Sequence, residues 1–443
     1  MSSGDVSSDP PEARLAPLAP SAPGPQPRAV PAAAPAPSRS FGALRVPAFQ
    51  SFAVATVALS LGVWVAMVGQ MWLVQERTNS PLALGMVNFF WGLPVMALSL
   101  LGGVVADRVD RRTVLVVARA LNTLLVLLMA LLVTSEWLEV WHIMAFSFLQ
   151  GLLMAFDIPA RQALIPALVP RSDLMSAIAI HAAIWGSTNV VGPALAGPLI
   201  ATLGIAGCFY LAASASGLAA FLFFRLRTIP APEKGAAPDP AVPPPNVLKG
   251  LAEGLRYLRG QRAIIAIMLM NLVPIVIGQA YISLIPAFAA NILRGDAVTY
   301  SNLLSAGGIG ALMGTALIAA VGDFRRKGLG VVLVGSTFGV ALLALAATSS
   351  VWPALALMAV LGGTSMSFWT LSNTLVQGML HDHVRARVTS VYQLTWGMQS
   401  LGNLFLGVLG NTIGVPGAIG VAGGVSLLGI ALVLTKFPEV RRL

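Results

Sequence analysis

Apolar residues in this chain run in long blocks, without the alternation of a half-buried strand or the single stripe of a surface helix, and short polar or proline-rich breaks separate them. A window of about 19 residues predicts twelve apolar helices, at 50–75, 82–105, 113–133, 143–167, 173–203, 207–225, 262–292, 298–321, 328–349, 352–380, 385–411 and 414–436. At a rise of about 1.5 Å per residue, a block of some 20 residues crosses a hydrocarbon core of about 30 Å. These blocks are too long for barrel strands, so the pattern predicts an all-α membrane protein of twelve transmembrane helices. Several blocks contain proline, among them Pro94, Pro159, Pro166, Pro193, Pro198, Pro274 and Pro286. Membrane helices tolerate proline where neighbours re-satisfy the freed carbonyls.

The breaks divide the chain. Residues 1–45 are rich in Pro and Ala without aliphatic periodicity, so a disordered arm is expected there; with no apolar core of signal-peptide length, it does not read as a cleaved leader. A second break, at 226–261, carries Pro230, Pro232, Pro238, Pro240 and the run Pro243-Pro244-Pro245, which excludes regular helix over that stretch. It separates a six-helix half at 46–225 from another at 262–443.

Composition agrees with lipid as the solvent: 56% of residues are hydrophobic, 10% are charged, and the mean hydropathy is +0.81. The net charge of +10 would suit nucleic acid, but its placement argues for topology. With the N-terminus inside, only Arg77 and Arg294 of the 27 Lys and Arg fall outside, so both termini are expected in the cytoplasm and the protein in the plasma (inner) membrane. No nucleic-acid partner is expected. The single cysteine, Cys208, excludes an intrachain disulfide and any cysteine-built metal site.

Between the second and third blocks, Gly102 to Arg112 packs five charges into one hinge. The loop after the eighth block, Gly322-Asp323-Phe324-Arg325-Arg326-Lys327, is a degenerate copy 216 residues later. Leu174-Met175-Ser176-Ala177 matches Val388-Thr389-Ser390-Val391 at an offset of 214. Two matches at one offset argue for an internal duplication, which in transporters puts the substrate site between the halves.

The hinge pattern G-x-x-A-D-R-x-x-R-R resembles the signature loop of the major facilitator superfamily of secondary transporters. The likeness covers about Phe41 to Pro438. Asp157-Ile158-Pro159-Ala160-Arg161-Gln162 is similar to the fourth-helix sequence of the drug-efflux and siderophore-export branch. Gly192-Pro193 with Gly197 resembles the antiporter motif of exporters, and Arg385-Ala386-Arg387-Val388 resembles an R-G-R-V turn with alanine for glycine. Ser147 stands where many drug/proton antiporters carry a buried arginine.

Physical chemistry then assigns candidates. Gly102 and Gly103 permit close helix approach, and Asp107 is placed to face the N-terminus of the eleventh helix as a conformational latch. Arg108, Arg111 and Arg112 are expected to bridge to acids of adjacent helices, with Asp323, Arg325 and Arg326 as the second copy. Asp157 is the only carboxylate well inside a block, so it is a candidate for proton coupling, or else a structural partner of Arg161 one turn on. His181 is the second titratable candidate, and Arg119 is expected to snorkel toward the inner surface. Trp137, Trp141 and Trp352 read as interfacial anchors, with Trp72 near the outer edge.

Trp64, Trp91, Trp185, Trp369 and Trp396 fall in the blocks that line the cavity of the resembled fold. So do Gln70, Asn88, Asn189, Asn271, Gln279, Asn373, Gln393, Gln399 and Asn403. An aromatic and amide lining suits amphipathic small molecules.

The resemblance implies a proton-coupled exporter of drugs such as macrolides or tetracyclines, or of siderophores, acting by alternating access as a monomer. A lipid or lysolipid flippase and a non-transporting membrane sensor are the alternatives. No nucleotide-binding G-x-x-x-x-G-K-[ST] occurs, so neither an enzyme nor an ATP-driven pump is expected, and no cofactor or metal. His381-Asp382-His383 reads as a solvated turn.

Overall fold

In a computed structural model of the chain, residues 41–226, 262–322, 327–380 and 382–437 are described, with backbone alone at 99–108, 262–263, 327 and 382–396. Ten helical stretches among them are long and apolar enough to cross a membrane. They are α1 (Pro47–Thr78), α2 (Pro81–Arg108), α3 (Arg111–Thr134), α4 (Val140–Leu168), α5 (Leu174–Arg225), α6 (Arg262–Val273, extended by irregular turns to Ile292), α7 (Ala297–Val321), α8 (Lys327–Ala346), α9 (Val351–Met379) and α10 (Asp382–Lys436). Many hydroxyl side chains inside these helices bond back one turn, as Thr56 does to the Phe52 carbonyl (2.8 Å) and Ser305 to that of Ser301 (2.9 Å). Such bonds satisfy the hydroxyl within its own helix.

Where the hydropathy pattern separates the fifth block from the sixth and the eleventh from the twelfth, α5 and α10 each consist of two helical arms joined directly at a kink. Each contains one glycine outside helical geometry, Gly204 (φ 71°, ψ 175°) and Gly414 (φ 82°, ψ 160°). A positive φ of this kind costs a residue with a Cβ about 1–2 kcal/mol, and glycine nothing comparable. The chain reverses at these points. Along α1, Phe52 meets His181 and Trp64 meets Gly192, a parallel register, whereas beyond Gly204 the order inverts: Gly69 lies by Cys208, Gly62 by Ala212 and Phe52 by Phe223. In α10, Gly402 packs on Val276 and Gly410 on Leu284. Beyond Gly414, Ser426 lies by Gly278 and Gly429 by Val273, again inverted.

The stretch after α6 departs from regular helix. Pro274–Gly278 forms a π turn, Gln279–Leu284 a 3-10 helix, Ile285–Ala287 an α turn and Phe288–Ile292 a second π turn. Pro274 and Pro286 lack the N–H that would hold the regular spacing, and wide turns of this kind occur often at functional sites.

The N-terminal and C-terminal helices meet along two seams, α2 with α10 and α5 with α7. Both depend on small residues: a Cβ on Gly85 would lie 2.5 Å from the Asn403 carbonyl oxygen, and one on Gly308 2.8 Å from that of Asn189. Lipid offers no hydrophobic drive for helix association, so such close backbone approach supplies it. At one end the halves are also joined by side chains: Asn291 Nδ2 donates to Asn79 Oδ1 (2.8 Å), and Trp72 stacks on the buried Tyr300 at 6.1 Å. Trp72 therefore lies between the halves, whereas Trp137, Trp141 and Trp352 are exposed.

Gly85→Ala is expected to lower stability by about 1–3 kcal/mol through overpacking, read as a reduced thermal midpoint in detergent. Gly378→Ala is the control, because a Cβ there meets nothing within 4 Å. Equal midpoints for the two variants would contradict the seam.

Candidate functional site

The proline-interrupted helix α4 brings two charges into the bundle interior, and α3 brings a third. Asp157 Oδ1 lies 2.8 Å from Arg119 Nε, and Oδ2 lies 3.0 Å from Arg161 Nη2. All three side chains are buried, with relative exposures of 0% for Asp157, 1% for Arg119 and 3% for Arg161. Arg119 is thus a partner of Asp157 and does not snorkel: α3 presents it to α4, and the carboxylate returns more than a path to the surface would. The Asp157–Arg161 pair, one turn apart, forms as the spacing predicts.

Around this triad, the guanidinium of Arg161 lies 5.0 Å from the Trp185 ring of α5, and Arg119 Nη2 lies 3.8 Å from the Met154 sulfur, a weak acceptor. Arg161 Nη1 is buried without a hydrogen-bond partner. One turn before Trp185, His181 stacks on Phe52 at 6.0 Å, and its Nε2 is also buried without a partner.

Further along the α1–α5 contact, Gly192 makes room for Trp64: a Cβ there would lie 2.4 Å from that of the tryptophan. The neighbouring Pro193 is buried, and Gly197 packs against Ser301 of α7. Gln70 donates to Ser147 Oγ at 2.6 Å, so serine at that position receives an amide contact from α1.

In the C-terminal half, Gln279 donates to Ser365, and both line an apolar cavity with Pro274, Phe338, Phe368 and Trp369. The irregular turns after α6 therefore face a recess in which two of the sequence-selected residues, Gln279 and Trp369, come together. Other selected amides take other roles. Asn271 is fully buried and donates to the Ile267 carbonyl (2.8 Å), while Asn88 donates both to that of Leu84 (3.0 Å) and across to the Met71 sulfur of α1 (3.3 Å). Asn189 meets Gly308 through its backbone, Trp91 is 39% exposed, and Asn373, Gln399 and Asn403 are half-buried.

The charged hinge differs from expectation in its partners. Arg111 Nη1 donates to the Ala163 carbonyl (2.9 Å), and Arg112 donates to the carbonyls of Phe223 (3.3 Å) and Phe224 while lying over the Phe224 ring. Both arginines thus bind backbone carbonyls rather than acids. Arg112 reaches the last turn of α5, where a cation favours the helix dipole. Asp110 caps α3, accepting from the Arg112 N–H (3.2 Å) and the Thr113 hydroxyl (2.9 Å). The side chains of Asp107, Arg108, Gln393 and Trp396, the surroundings of Gly103, and all of Asp323, Arg325 and Arg326 lie outside the described residues.

A bundle of long apolar helices with glycine seams between two halves and a charge cluster inside defines a polytopic membrane protein. The family model described as a transmembrane secretion effector, within the major facilitator superfamily, matches residues 38–442, and the chain belongs to that family of transporters. Similar curated proteins are the staphyloferrin A transporter of Staphylococcus aureus (24% identical over 82% of this chain and 90% of that protein) and the multidrug efflux pump Tap of Mycolicibacterium fortuitum (25%, 88% and 95%). Among solved structures, the nucleoside transporter NupG superposes with a TM-score of 0.70 over 88% of this chain and 99% of that one, at 16% identity, which speaks to fold alone.

Asp157→Asn should be the most destabilising change in the triad, by about 3–5 kcal/mol, because it leaves two buried guanidinium groups without a carboxylate. Arg161→Gln leaves the one-to-one pair of Asp157 with Arg119 and should cost less. Thermal unfolding of the purified variants checks the order, and the reverse order would refute the described sharing of the carboxylate.

Proposed function

We propose that this transporter exports amphipathic organic molecules, drugs or siderophores, across the inner membrane by alternating access, as a monomer energised by proton antiport. In this reading the two reversals, at Gly204 and Gly414, turn ten helical stretches into twelve crossings, and the strong bias of Lys and Arg places both termini in the cytoplasm. The observation that carries the reading is the joint between halves at one end: the Asn79–Asn291 bond and the Trp72–Tyr300 stack close that end and must part for a substrate to pass there. Outward direction is supported by the efflux pump and siderophore transporter among the relatives, and by Gly192-Pro193. The Gln279–Trp369 recess and the Trp64 face supply an aromatic and amide lining for substrate.

Energy coupling is assigned to the Asp157 cluster and His181. One proton moving inward through 100 mV supplies about 2.3 kcal/mol, close to two decades of substrate gradient. A proton on Asp157 would displace at least one of its two guanidinium contacts, which links protonation to the packing of α3 on α4. The hinge arginines Arg111 and Arg112, with Asp107 and Arg108 beside them, serve as the conformational latch.

Cells expressing the chain should accumulate less of at least one compound from a panel of macrolides, tetracyclines, dyes and siderophores, and a proton uncoupler should abolish the difference. Failure with every compound would favour lipid flipping instead. In proteoliposomes Asp157→Asn should lose proton-driven export while keeping downhill exchange; retained uphill export would make the cluster purely structural.

Asn79→Cys/Asn291→Cys tests the joint against a clean background, since the natural Cys208 is fully buried. Oxidative cross-linking should stop transport and a reductant should restore it. Unimpeded transport by the cross-linked protein would show that this end need not open.

A further inference from the structure

The buried cluster is not electrically balanced. Two arginines share one aspartate, so the triad carries an excess positive charge at a depth where each of its members is at least nine-tenths buried. A guanidinium is not deprotonated in proteins and presents several N–H donors with no acceptor of its own. Among the described residues, the acceptors are the two oxygens of Asp157, the Met154 sulfur and the face of Trp185. The indole face offsets part of the charge of Arg161 but takes no N–H bond from Nη1, which stays without a partner. A bare buried N–H on a cation is costly. Filling of volume does not explain it, because a leucine or methionine would fill the same volume without the charge.

The same place holds a second unpartnered nitrogen, His181 Nε2, one helical turn from Trp185, with Arg161 as the charge acting upon it. Two polar nitrogens, both buried and both lacking partners, thus flank one half-buried indole. At the repeat offset of 214–216 residues, the positions matching Arg119, Asp157 and Arg161 are 333–335, 371–373 and 375–377, and none of these holds a charged residue. The duplication alone therefore does not require the charge; it is confined to the N-terminal half.

We infer that Arg161 Nη1, beside the ring of Trp185, is the binding point for a carboxylate borne by the transported molecule, so that the protein selects anionic or zwitterionic amphiphiles over neutral ones. This rests on the export reading above and names its substrate class. A carboxylate reaching Nη1 accepts a charge-assisted bond and supplies the missing negative charge. Rotation of the Trp185 ring admits it and then lays an apolar face beside the rest of the molecule. His181 Nε2 offers the second polar contact.

The test compares two probes that differ in one group, pyrenebutyrate and pyrenebutanol. Energy transfer from tryptophan to pyrene is measured with the full-length protein in phosphatidylcholine nanodiscs, corrected for uptake by empty nanodiscs. The wild type is expected to bind pyrenebutyrate at least about tenfold more tightly, the scale of one hydrogen bond to a charged group. Arg161→Gln should remove the preference while keeping pyrenebutanol binding, which also shows that the variant is folded; Arg161→Lys, which keeps the charge, should retain part of it.

Equal affinities in the wild type, an unchanged preference in Arg161→Gln, or no binding of pyrenebutyrate would each overturn the inference. So would displacement of the probe by inorganic phosphate at equal concentration, which would make this a site for small free anions. Export assays separate the two readings: export without carboxylate preference sinks the anion site alone, and carboxylate binding without export of any compound sinks the export reading alone.

Discussion

Among the described residues, one buried carboxylate answers two buried guanidinium groups, and much of the N-terminal half is arranged around that sharing. Asp157 is fully buried, so its carboxylate must be answered by neighbouring groups, and so must each guanidinium that answers it. Asp157 takes Arg119 from α3 with one oxygen and Arg161 from its own helix with the other. That division ties α3 to α4, presses Arg161 against Trp185 of α5, and sets the position of the helix that forms one of the two seams with the C-terminal half. A change in the occupancy of this single carboxylate therefore reaches the interface between halves through directly packed side chains.

The seams themselves follow a different rule. Among the described residues, contact there comes from glycine backbones approaching until carbonyl and Cα atoms touch, as at Gly85 with Gly407 and Gly308 with Asn189. Contacts of this kind carry little directional energy, so the halves can tilt against one another at modest cost. Directional contacts, Asn79 with Asn291 and Trp72 with Tyr300, join the halves at one end. A loose seam and a specific lock are what the proposed alternating access would require.

Much of this was legible in the sequence because lipid imposes a simple grammar. Block length gave the apolar segments, and the lone intramembrane carboxylate marked its own importance, down to the i, i+4 contact with Arg161. The resemblance pointed to the family that the chain matches. Arg119 was misread for a physical reason: an arginine early in an apolar helix can either reach the surface or find a carboxylate, and periodicity on one helix cannot reveal a partner on the next. Arg111 and Arg112 of the hinge were misread similarly, since backbone carbonyls are acceptors that no residue pattern displays. The amides were the least legible group. Gln70 and Gln279 bridge helices and Asn88 reaches the Met71 sulfur of α1 as well as its own turn, whereas Asn271 bonds back to its own turn, and nothing in the one-letter code separates these uses.

The reversals at Gly204 and Gly414 have a mechanical meaning beyond chain direction. With a single non-helical residue as the connector, the two arms of each hairpin have no slack by which to slide past one another along their axes. Shear, the usual way in which packed helices share a displacement, is therefore suppressed within each pair. The arm of α5 that touches α7 must carry its other arm, and with it α3, as one rigid lever. The same holds for α10, whose first arm touches α2 and whose second lies on α8. A tilt started at either seam is thus delivered undiminished to helices on the far side of its own half.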